Sequence, residues 1–256
     1  MKSKVLRYMA AAGVGAVTAT SLLVIGSGAG ASGIPTTTTI VGLPSANTLA
    51  GQQVTLTAIV APAHAPTATG SVAFTIAGAD GSFLTCNGGN TITLTGGKSR
   101  CKIAPGSTTV AGSPYAVTAV YSGDTNYSGS TGTTVQAVTQ TSLKFVITDP
   151  VKPTNGGQAV FVAKLTGPKG AAIPGSVLFA VASTYPKHGR PICEEGQQVP
   201  VVENTATCTL AAGWVTVPAP GPSNPHPKTQ WSVSASFMDG SSYVAGPVSK
   251  FGTVRQ

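Results

Sequence analysis

Four groups of residues in this 256-residue sequence could do chemistry. The cysteines Cys86, Cys101, Cys193 and Cys208 could crosslink. Lys98, Arg100 and Lys102, in "KSRCKI", put three cations on alternate positions, which is the spacing for one face of a strand. His64, His188 and His226 sit in "APAHAPT", "PKHGRP" and "NPHPK", loops flanked by Pro or Gly. None has the spacing to another His or to a Cys that a metal site uses, so all three are expected in solvent. Seven carboxylates complete the set. Glu194 and Glu195 are adjacent and on a strand would face opposite ways, which is wrong for an acid–base pair. No G-x-S-x-G elbow is present. No catalytic residue, cofactor or metal site is expected, and the chain reads as a non-enzyme.

The cysteines raise the question of compartment. Lys2, Lys4 and Arg7 precede an apolar run from about Met9 to Ile25, and Ala29-Gly30-Ala31 fits a small-residue cleavage site. Residues 1–31 therefore read as a signal peptide. Cleavage after Ala31 leaves 225 residues and removes three cations, taking the formal charge from +8 to +5. That balance does not demand nucleic acid, and no stable membrane span is expected after cleavage. An even cysteine count in an exported chain points to disulfides, with three pairings open. The spacing is 15 residues from Cys86 to Cys101 and again 15 from Cys193 to Cys208.

That equality belongs to an internal repeat. "GQQVTLTAIV" from Gly51 matches "GGQAVFVAKL" from Gly156, and "TGSVAFTIA" from Thr69 matches "PGSVLFAVA" from Pro174, both 105 residues apart. The cysteines follow at 107, and "YAVTAVYSGDTNY" from Tyr115 matches "WSVSASFMDGSSY" from Trp231 at 116. The offset grows near "TYPKHGR" and in the proline-rich stretch Val217 to Lys228, where connections tolerate insertion. Apolar residues alternate in every match, as in Val54, Leu56, Ala58, Val60 and in Trp231, Val233, Ala235, Phe237. Period-two patterning predicts half-buried antiparallel strands. It also turns Cys101 and Cys208 inward. Since a duplicated unit carries its own crosslink, Cys86–Cys101 and Cys193–Cys208 are the expected pairs. The glycine pairs in "CNGGNTITLTGG" leave the register of the cysteine hairpin open.

"TTTTI" from Thr36, "GQQVTLTAIV", "TGSVAFTI" and "VTAVYSGDTNYSGS" from Val117 together resemble bacterial Ig-like domains of group 3. The resemblance spans residues 36–138 and, more loosely, 141–254. "PICEEGQQVPVVENTATCTL" resembles the cysteine-bearing hairpin of such domains, while "FMDGSSYVAG" departs at the corner. The fold class expected is all-β: two tandem immunoglobulin-like β-sandwiches, residues 32–139 and 140–256, after the signal peptide 1–31. The join near "VQAVTQTSLKF" lacks a Gly/Ser-rich linker and predicts a fairly stiff pair. Asp124 and Asn126 should bond their own turn, and Tyr127 should cover the end of the core. One carboxylate is far short of the oxygen shell that calcium takes.

The resemblance implies a secreted or envelope-associated spacer, adhesion or interaction module. The partners expected are a cell-wall polymer, a carbohydrate or another surface protein. The row Lys98, Arg100, Lys102 fits contact with an anionic polymer, and it equally fits protection of a sheet edge. The alternative is a carbohydrate-binding module, which needs exposed aromatic rings. Trp231 reads as core, so Trp214, in "AAGWVTVPAP", is the exposed candidate.

Overall fold

The computed structural model describes residues 33–42, 48–62, 67–185, 191–239 and 241–256. Residues 1–31, where a signal peptide is expected, and His64 and His188 lie outside the described residues. In chain order the first half forms β1 (Thr36–Val41), β2 (Thr48–Leu49), β3 (Val54–Pro62), β4 (Ser71–Ala77), β5 (Phe83–Leu84), β6 (Thr91–Thr93), β7 (Lys98–Ile103), β8 (Tyr115–Tyr121), β9 (Ser130–Gln136) and β10 (Val138–Thr139). The second half forms β11 (Thr141–Ser142), β12 (Lys144–Val151), β13 (Ala159–Thr166), β14 (Ser176–Ser183), β15 (Gln198–Pro200), β16 (Thr205–Leu210), β17 (Lys228–Met238), β18 (Tyr243–Val244) and β19 (Val248–Arg255). The described residues contain no helix.

Each half closes two sheets over its own core. In the first, the sheet β1-β3-β7 faces the sheet β5-β4-β8-β9, with β6 also paired to β4. In the second, β12-β13-β16 faces β15-β14-β17-β19. The alternating residues are the reason. Val54, Leu56, Ala58 and Val60 of β3 turn inward to meet Val72, Phe74 and Ile76 of β4 and Val117 and Ala119 of β8. Phe161, Val177, Phe179, Val233 and Ala235 do the same in a separate core. Thr and Ser recur at the outward positions, as at Thr55, Thr57 and Thr75 and at Ser232, Ser234 and Ser236, where they suit a pleated surface that faces water.

The cysteine hairpin interrupts this regularity, and the glycines show how. Opposite β4, Leu84 pairs with Ile76 and Thr91 pairs with Ala73. Residues 85–90 thus stand against only Phe74 and Thr75, and the surplus bulges out. Gly88 and Gly89 take φ of 90° and 100°, which side chains disfavour. The bulge carries Cys86 across to the other sheet, where it bridges Ile103 and bonds to Cys101. Cys193 bonds to Cys208 in the same manner. The backbone bonds repeat too: Asn87 N–H donates to Lys102 C=O at 2.7 Å, and Glu194 N–H to Thr209 C=O at 2.8 Å. Each disulfide therefore ties one sheet of its sandwich to the other.

Candidate binding strand and the corners that close the sandwiches

β7 lies at the edge of its sheet, paired on one side with β3. Its pattern is strict: Ser99, Cys101 and Ile103 are buried, while Lys98, Arg100 and Lys102 are exposed. The inward residues are anchored by the core and the disulfide, so the three cations stand in one row on the outer face. Their cross-strand neighbours are Ile59, Thr57 and Thr55. None of β1, β3 and β7 contains a carboxylate, and these three are the only Lys or Arg between residues 33 and 140. At the equivalent positions of the second half, β16 presents Thr205, Thr207 and Thr209. The site is an uncompensated cationic row on a Thr-rich surface.

The Ser-Gly-Asp-Thr-Asn corner after β8 is held by Asp124. Its Oδ2 accepts from Thr69 N–H at 2.8 Å and from the Thr69 hydroxyl at 2.7 Å. Its Oδ1 accepts from Asn126 N–H at 2.8 Å and Tyr127 N–H at 2.9 Å. Thr69 foremost, then the turn amides, holds this carboxyl well below the usual carboxylate range. The carboxylate bonds its own turn, as the sequence implied, and also fastens that turn to the start of β4. Tyr127 is 1% exposed and caps the core. The neighbouring Tyr121 hydroxyl is pushed up to about 12, by burial first and then by the Asp124 charge.

In the second corner Asp239 Oδ2 accepts from Ser242 N–H at 3.1 Å and Tyr243 N–H at 2.6 Å. The two carboxylates thus do one job, binding the amide of the core-capping tyrosine and the amide before it. Aligning the tyrosines hides this, because Asp239 is four residues from Tyr243 while Asp124 is three from Tyr127.

Two other expectations meet the structure differently, and a third agrees with it. Trp214 is buried, at 9% exposure, and packs with Phe161 and Trp231. The nonlocal partners are what bury it, so it offers no exposed ring. Glu194 and Glu195 lie in a turn, not on a strand. Glu195 accepts from Thr209 N–H and hydroxyl at 2.9 and 2.6 Å; burial works to raise its carboxyl, and those bonds outweigh it and lower it. His226 is exposed, as expected. No group of three or more His, Cys, Asp or Glu among the described residues could hold a metal. No helix among them is long and apolar enough to cross a membrane.

One further detail was not read from the sequence. At the start of β8, the buried Tyr115 hydroxyl accepts from Thr109 N–H at 3.0 Å, six residues upstream. A ring that reaches back to tie down the preceding connection is the tyrosine corner of immunoglobulin sandwiches. Residues 40–140 match the family Bacterial Ig-like domain (group 3). Those residues form a bacterial Ig-like domain of group 3. No curated protein matches the chain. Among solved structures it is similar to Escherichia coli alpha-2-macroglobulin, with 14% identity, 89% of this chain and 14% of that chain covered, and a TM-score of 0.30. It is also similar to Bacteroides uniformis beta-glucuronidase 3 (10% identity, 92% and 25% covered, TM-score 0.27). A third likeness is to red sea bream transglutaminase (8% identity, 86% and 31% covered, TM-score 0.29). This chain spans under a third of the length of each. None of these likenesses bears on what the protein does.

Proposed function

We propose that the protein is an exported, non-enzymatic interaction module of two tandem Ig-like sandwiches, residues 32–139 and 140–256. It acts at or outside the cell envelope as a spacer that contacts an anionic polymer through Lys98, Arg100 and Lys102. The observation that carries this is the comparison of the two edge strands. β16 occupies the same edge as β7 and holds its fold with threonines. Edge protection alone therefore does not require the charges on β7. Two disulfides fit an oxidising compartment, where such polymers are met.

Exposed cations on a hydrated face attract an anionic chain at modest affinity, and salt screens them over about 10 Å at 0.1 M. The test is binding of the mature chain to immobilised anionic cell-wall polymer, with and without the triple change Lys98→Gln, Arg100→Gln, Lys102→Gln. Binding should fall at least about tenfold in the variant, and the wild type should weaken as salt rises. An unaltered affinity in the triple variant would overturn the assignment. Melting of the variant serves as the fold control, because all three side chains point to solvent.

A further inference from the structure

The two sandwiches meet through a joint of one residue. β10 pairs in parallel with β2 of the first sandwich, and β11 with β18 of the second, leaving Gln140 alone between them. Across the joint, the Thr141 hydroxyl donates to Ala50 C=O at 2.6 Å, and Val110 N–H donates to Ser242 Oγ at 3.2 Å. Gln140 Nε2 donates to Ser241 C=O at 2.9 Å. The Tyr243 ring lies over Gly51, where a Cβ would collide with the phenol oxygen. The corner of the second sandwich thus sits in a shallow socket built from Ala50, Gly51 and Val110.

The second sandwich builds the same socket. Gly51 has φ of 75°, donates to Thr108 C=O at 2.9 Å and accepts from Gly106 N–H at 2.9 Å. Gly156 has φ of 70°, donates to Val215 C=O at 2.9 Å and accepts from Gly213 N–H at 3.0 Å. Yet nothing lies within 4 Å of a Cβ placed on Gly156. The difference is in the neighbours. Asn155 stands where the first sandwich has Ala50, and its Oδ1 takes Val217 N–H at 2.8 Å. Val217 is the counterpart of Val110, whose N–H is taken by Ser242 of the other sandwich. Pro153 replaces Thr48 and so lacks the N–H that Thr48 donates to Ala137 C=O. The proline-rich insertion occupies the same connection that, in the first sandwich, carries Gly106, Thr108 and Val110.

We propose that this end of the fold is a docking socket for the corner of a like sandwich. The first sandwich uses it to hold the second in one fixed orientation, and Asn155 closes it in the second, so the pair does not extend itself end to end. Adjoining domains move relative to one another unless something holds them. Here the contacts at the joint hold them, and Pro105 and Gly106 also lie beside Gly170 to Ala172 of the second sandwich.

Amide exchange in the full chain tests it. The Val110 amide should be protected, and Ser242→Ala should speed its exchange about fivefold to tenfold while leaving the Val217 amide unchanged. Asn155→Ala should do the reverse. Gly51→Ala and Gly156→Ala place the same side chain at the same left-handed backbone, so their local strain is matched. Only Gly51→Ala should broaden the distance distribution seen by small-angle X-ray scattering. Equal Val110 exchange in the wild type and Ser242→Ala, or equal scattering changes in the two glycine variants, would overturn the proposal.

Discussion

Asp124 and Asp239 hold their corners one residue out of step, and the shift shows what each corner is for. What is kept is a carboxylate on the amide of a core-capping tyrosine; what varies is the loop that supplies it. A ligand shell would need several groups to keep their relative positions, and these do not. Tyr127→Ala should therefore cost about 3–5 kcal/mol, the usual range for a lost buried aromatic, read as a fall in the first sandwich's melting point. Asp124 makes its contribution through charge. Its folded carboxyl is lowered from the ordinary value of about 3.9, so its stabilisation is complete above that value and is lost as pH falls through the folded one. Acid titration of the melting point should show a shallower decline below about pH 4 for Asp124→Asn than for the wild type. An identical decline would mean that another group carries the acid sensitivity. Calcium should shift neither melting curve.

At the scale of strands, what is local in sequence was legible. Alternation placed Leu56, Phe74, Cys101 and Val117 inward because period two depends only on neighbours. The bulge at 85–90 depends on how many residues lie opposite Phe74 and Thr75, which no window of sequence contains. Two glycine pairs hinted at irregularity without saying which was bulge and which was turn. The structure assigns Gly88-Gly89 to the bulge. Gly96-Gly97 form the two-residue hairpin turn, with φ of 58° and 72°. The second sandwich makes that turn with Glu203 and Asn204, at φ of 50° and 62°. Positive φ at both central positions is the requirement of a type I′ hairpin, and Asn meets it better than most residues. Asn204 also bonds Ile173 N–H and Ala171 C=O, so Asn204→Gly should relax the turn yet lower the melting point of the second sandwich. A rise would show that turn strain outweighs those two bonds. The burial of Trp214 is nonlocal in the same way: it depends on Phe161 and Trp231, which lie on β13 and β17.

For the whole molecule, export is the reading that decides whether the cysteines oxidise. The mature protein should begin at Ser32, which N-terminal sequencing of secreted material checks; retention of Met9 to Ile25 would contradict it. Given oxidation, Cys101→Ala should lower the stability of the first sandwich by roughly 3 kcal/mol, from the entropy of opening a 15-residue loop, and leave the second nearly unchanged. The same crosslinks set how far the molecule can be stretched. If tension unravels a sandwich, the residues between its cysteines stay out of the pulled path. With 15 residues spanned by a Cα–Cα distance of 5.0 Å, the oxidised sandwich gains about 45–50 Å less contour than the reduced one. A chain fixed at one end and loaded at the other would thus yield in short steps and keep its slack locked away, a shock absorber whose stroke is set by the redox state of its surroundings.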